Sequence, residues 1–119
     1  MRLIPSLFAA AALLAAAPAL AHPHVVKAAP ANGSTVTGSP ADIRITFSEA
    51  PFPRFSGVTI TDAAGKKIAT GATAISPTDK NQLVVPVRAA LKPGAYKVDW
   101  FAVGADTHRV TGKFSFTVK

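Results

Sequence analysis

The chain has no cysteine, and its only methionine is Met1. The first absence excludes a disulfide framework, a thiolate metal site and a cysteine nucleophile. Helical patterning is missing too: after residue 21 no segment of ten or more residues repeats its apolar side chains at the helical period. Acids are scarce, 6 against 13 lysines and arginines, for a net charge of +7. The basic residues stand singly or in the pair Lys66-Lys67, with no run of five or more. That describes a solvated surface and argues against a nucleic-acid partner; attraction to an anionic membrane or partner is compatible with the charge but not required by it. No phosphate-loop or nucleophile-elbow pattern occurs, so no hydrolytic or transfer chemistry is expected.

What is present begins with a targeting signal. Met1-Arg2 is a short basic start, Leu3 to Leu14 is apolar apart from Pro5 and Ser6, and Pro18 precedes the small-residue site Ala19-Leu20-Ala21. This pattern predicts a secretory signal peptide over residues 1–21, cleaved after Ala21, and an exported chain that starts at His22. An uncleaved anchor is the alternative, but the run is mostly alanine and ends at the usual length. Residues 22–119 are enough for one domain with a modest core. Without Met1 and Arg2 this domain has no sulfur ligand, and its 12 basic residues against 6 acids leave +6.

The rest reads as short strands between turns. Val25 to Ala28 is followed by turn formers at Pro30–Ser34 and Gly38–Pro40. Ile43, Ile45 and Phe47 alternate with polar residues and should face a core, before Pro51 and Pro53 break the ladder. Val58–Thr61 and Lys67–Thr70 flank a hairpin connection, Asp62-Ala63-Ala64-Gly65, and Gly71–Lys80 reads as loop. Leu83–Val87 contains Pro86, which suits an edge or a strand end. Leu91 to Tyr96 looks like the tyrosine corner of immunoglobulin-like sandwiches, Tyr96, Val98 and Trp100 share a face, and Phe114–Val118 alternates most clearly. The expected fold is an all-β, seven-stranded Greek-key β-sandwich of immunoglobulin-like or cupredoxin-like form.

Two places carry chemistry. Asp106 and His108 lie two apart between the last two strands, so an extended backbone would point both the same way with roots about 7 Å apart. An amino-terminal His22 would chelate through its α-amine and ring Nδ1 once the amine loses its proton. In a sandwich, the amino-terminal strand and the loop before the last strand can share an end, so His22 would close over Asp106 and His108. Three nitrogens and an oxygen suit tetragonal Cu(II), although zinc accepts the same donors. Copper binding through deprotonated backbone amides toward His24 is blocked, because Pro23 has no N–H. His24 is then read as exposed, with an axial or auxiliary ligand role as the alternative. A thioether Cu(I) site has no residue to build it.

His22-Pro23, Phe47-Ser48-Glu49, Pro93 through Trp100, and Asp106-Thr107-His108 followed by Gly112 and Phe114-Ser115-Phe116 together resemble the copper-resistance CopC/PcoC proteins over nearly the whole mature chain. The resemblance implies a small periplasmic copper carrier with His22, Asp106 and His108 as Cu(II) ligands and Glu49 beside the metal as a weak or indirect partner. It implies Cu(II) as cargo, and a CopD-like inner-membrane copper transporter or other copper-resistance proteins as partners; a monomer is expected. Some members carry a methionine-rich Cu(I) loop where this chain has Asp62 to Asn81 without methionine, so the chain looks like a Cu(II)-only variant. Two other readings compete. A small copper-brace oxidase would cycle with ascorbate and release peroxide, whereas Asp106 as a donor would hold the metal as Cu(II). A metal-free structural sandwich would gain no stability from copper.

Overall fold

The computed structural model describes residues 22–119, so the signal segment expected over 1–21 lies outside the described residues. Nine strands form two sheets: β1 (Val25–Ala29), β2 (Ser34–Val36), β3 (Asp42–Phe47), β4 (Gly57–Asp62), β5 (Lys67–Ile68), β6 (Ala74–Ser76), β7 (Asp79–Pro86), β8 (Gly94–Val103) and β9 (Arg109–Val118). One sheet has the order β1-β3-β7-β6 and the other β2-β9-β8-β4-β5. The only helical element among the described residues is a single 3-10 turn, Pro53–Phe55.

Alternation builds the core as the sequence suggests. Ile43 and Ile45 are fully buried and Phe47 nearly so, facing Ile60, Val98 and Phe116 of the other sheet. Trp100 is partly buried against this cluster, with its ring edge-on to Phe47 at 5.3 Å. Gly112 lies directly beneath the Trp100 indole, where any side chain would collide with the ring.

Among the described residues the strand count departs from expectation: nine, not seven. Ser34–Val36 belongs to a turn-rich stretch, yet pairs parallel with Phe116–Val118. Ala74–Ser76, inside the expected loop, forms a hairpin with β7, pairing with Val84, Leu83 and Asp79. Both are three-residue strands, too short to show a period. The Lys67–Thr70 strand stops at Ile68, because Thr70 bridges instead to Val87 beyond the other sheet. Pro86 ends β7, where its missing N–H matters least.

Two local devices match their motifs. Asp62 Oδ1 accepts the N–H groups of Ala64 and Lys66, while Gly65 takes φ +82°, closing the β4–β5 hairpin. The Tyr96 hydroxyl donates to the Lys92 carbonyl at 2.6 Å, forming the tyrosine corner at the entry to β8.

Candidate metal centre

The site lies at the far end of β8 from that corner. β8 ends at Val103, and β9 starts only at Arg109. Between them Gly104 accepts a hydrogen bond from the Thr107 N–H at 2.9 Å, closing a tight turn. Thr107 sits at φ 65°, a left-handed conformation that a β-branched residue adopts only when its surroundings impose it. Asp106 Oδ1 then accepts the His108 N–H at 3.2 Å. Asp106 and His108 therefore converge through a turn, and the extended backbone assumed from their spacing is not how they meet. A two-residue spacing reads the same in both conformations, and Thr107 decides between them.

The amino-terminal arm comes to this turn along β1. The Ser48 N–H donates to the His24 carbonyl at 2.9 Å, and the His24 N–H donates to Ser48 Oγ at 3.1 Å, so pairing with β3 continues past the strand end. Pro23 is buried against Gly104: a Cβ added there would stand 3.0 Å from Pro23 Cγ and 2.6 Å from Glu49 Oε1. Gly104 thus lets the Pro23 ring and the Glu49 carboxylate close over the backbone that carries Asp106. In the sequence the one signal of this role is a glycine two residues ahead of Asp-x-His.

His22 is thereby delivered to Asp106. Its Nδ1 lies 2.7 Å from Asp106 Oδ2, and His108 Nδ1 lies 3.5 Å from the same oxygen. The two imidazoles meet edge to face, centroids 5.3 Å apart. One donor atom from each residue lies within 4.8 Å of the other two, and no further His or acid belongs to this group among the described residues. His24, with only its backbone tied to Ser48, stays exposed and outside the cluster. Glu49 also stays outside it, one backbone layer behind at Gly104.

Asp106 Oδ2 is the informative atom. It is buried and accepts no hydrogen bond, although both ring nitrogens are close. Burial alone would raise this carboxyl; the His108 N–H bond and the neighbouring His22 and His108 rings outweigh it, holding the group below its usual value. An ionised oxygen flanked at 2.7 and 3.5 Å by two imidazole nitrogens is a compact set of one oxygen and two nitrogen ligand atoms. A divalent cation fits it.

Fold and site together define a small all-β domain with a surface His-Asp-His cluster. The CopC domain matches residues 25–119, and this chain belongs to the CopC family. It is 38% identical to copper resistance protein C of Pseudomonas syringae pv. tomato, over 92% of this chain and 90% of that one. It is 39% identical to protein YobA of Escherichia coli K12, over 83% and 80%. Among solved structures, the methionine-rich copper resistance protein PcoC of Escherichia coli superposes with a TM-score of 0.75 at 36% identity. That match covers 83% of this chain and all of the PcoC chain.

Proposed function

We propose that the exported chain binds Cu(II) and acts as a periplasmic carrier or buffer in copper homeostasis or resistance, without catalytic activity. The observation that carries this reading is the convergence of His22 Nδ1 and His108 Nδ1 on the buried Asp106 Oδ2. The ligands are His22, Asp106 and His108. After cleavage behind Ala21 the His22 α-amine adds a third nitrogen, and the set becomes the three-nitrogen, one-oxygen donor array that Cu(II) prefers. Family membership and the named copper-resistance relatives support copper as the cargo.

Each residue has a task in this reading. Asp106 supplies the anionic donor, and the hydrogen bond from the His108 N–H to its other oxygen keeps Oδ2 turned toward the imidazoles. Pro23 leaves no backbone amide to compete for the metal and seats the arm on Gly104. Glu49 adds negative charge behind the turn. Residues 22–119 hold no sulfur, so the soft Cu(I) ligands of a methionine-rich relative have no counterpart here. Delivery to an inner-membrane transporter or another copper-resistance protein is the natural end of such a carrier.

The test compares the chain beginning at His22 with one carrying a single extra residue ahead of it, by Cu(II) titration and electron paramagnetic resonance. The expected result is tight one-to-one binding with a tetragonal, nitrogen-rich signal, weakened about 100-fold or more by the extra residue. Equal and weak binding by both forms would remove the amino terminus from the site and the carrier reading with it.

A further inference from the structure

Beside the metal turn lies an apolar surface that copper binding does not use. Phe52 and Phe55 are 43% and 58% exposed, unusual for phenylalanine in a chain with a well-filled core. They are not loose. The Phe52 N–H donates to the Val103 carbonyl at 2.8 Å, the Phe55 N–H donates to the Phe52 carbonyl at 3.0 Å, and Pro53 opens the short 3-10 turn between them. Ser56 Oγ accepts the Val103 N–H at 3.1 Å, so both backbone groups of Val103 pin this segment to the end of β8. The two rings are held outward by a rigid frame.

With Phe101, Val103, Thr107 and Arg109 they line a shallow basin of about 470 Å³. No carboxylate lines it. The Arg109 guanidinium lies 4.3 Å over the Phe101 ring, and Arg54 is exposed between the two phenylalanines. Thr107 belongs to the turn that carries Asp106 and His108, so the basin and the metal centre share a rim.

We propose that the Phe52–Phe55 turn docks the protein on an anionic lipid bilayer, with the two rings at headgroup level and Arg54 and Arg109 among the lipid phosphates. Three observations favour a bilayer over a protein partner. The six residues of the basin and Arg54 make seven, whereas a stable protein interface takes about 20–30 from each side. Exposed rings beside cationic side chains match the composition of interfacial membrane anchors. The +6 of residues 22–119 is scattered, which draws the whole domain toward a negative surface without the point-to-point match a protein partner needs. Docking in this way would turn the Asp106–His108 end to the membrane. It extends the carrier reading by naming where the cargo is delivered, but the docking needs no metal.

The experiment uses metal-free chain beginning at His22, pelleted with vesicles of phosphatidylethanolamine and phosphatidylglycerol, or of phosphatidylcholine alone. At low salt the parent should partition to the anionic vesicles at least about tenfold more than to the neutral ones, and high salt should abolish the difference. Phe52→Ser with Phe55→Ser should lower that partitioning about tenfold or more while leaving the unfolding temperature and Cu(II) affinity unchanged. Val26→Ser, which removes an equally exposed apolar side chain (61%) from β1, should leave partitioning as it was. Absence of vesicle binding by the parent, equal binding by the double variant, or an equal loss in Val26→Ser would overturn the proposal. Loss of vesicle binding with copper binding intact tests the docking alone, so the two readings fail separately.

Discussion

The two ends of β8 have opposite characters. At its entry polar groups are matched: the Tyr96 hydroxyl meets the Lys92 carbonyl, and Ser39 Oγ accepts the Leu91 N–H at 2.8 Å. At its exit stand a left-handed threonine, a glycine pressed between Pro23 and Glu49, and a buried carboxylate oxygen with no hydrogen bond. The first end holds the sheets in register. The second gathers a carboxylate and two imidazoles on a strained turn within the same framework, and such groups gather where a protein binds something. Stability and function are thus separated along one ten-residue strand, and substitutions at its two ends should separate in the same way.

The largest effect belongs to the exit. Asp106→Ala or His108→Ala should weaken Cu(II) binding by more than about 100-fold in a calorimetric titration, while His24→Ala stays within about twofold. Parent-like binding by Asp106→Ala would erase the contrast between the ends. At the entry, Tyr96→Phe should lower unfolding free energy by about 1 kcal/mol in urea denaturation and leave copper affinity untouched. A fall in affinity would mean that the corner supports the site after all.

The smallest effect concerns acid. Because the Asp106 carboxyl is held below its usual value in the folded metal-free protein, the stability it contributes is fully present above the unfolded value of about 3.9. That contribution is lost as pH falls through the lower folded value. Asp106→Asn should therefore flatten the acid limb of the urea-stability profile below about pH 4, and leave neutral pH as its greatest difference from the parent. An unchanged acid limb would show that the two histidines do not act on this carboxylate without metal.

Much of this was readable from residues alone. The alternation of Ile43, Ile45 and Phe47, and of Phe114, Phe116 and Val118, marks strands because a half-buried sheet demands a period of two. Lys92 to Tyr96 announced its corner because that device is local, closing within four residues. The strand at Ser34–Val36 is not legible because its partner lies on β9, and that at Ala74–Ser76 because three residues are too few to show a period. Asp106 and His108 stand out by residue type, yet the backbone that joins them is not legible, since an Asp-x-His spacing serves a strand and a turn equally well.

What the sequence determined by itself is chemical: which donors exist, that none contains sulfur, that residue 23 offers no amide proton, and which positions must face a core. Those properties travel with each residue wherever the chain places it. Only the tertiary structure decided that His22 crosses to Asp106, more than eighty residues away, that Gly104 makes room for the crossing, and that two imidazoles meet at a buried Asp106 Oδ2. Each of these is a relation between distant segments, set by sheet pairing and close packing, which no local window of the sequence contains.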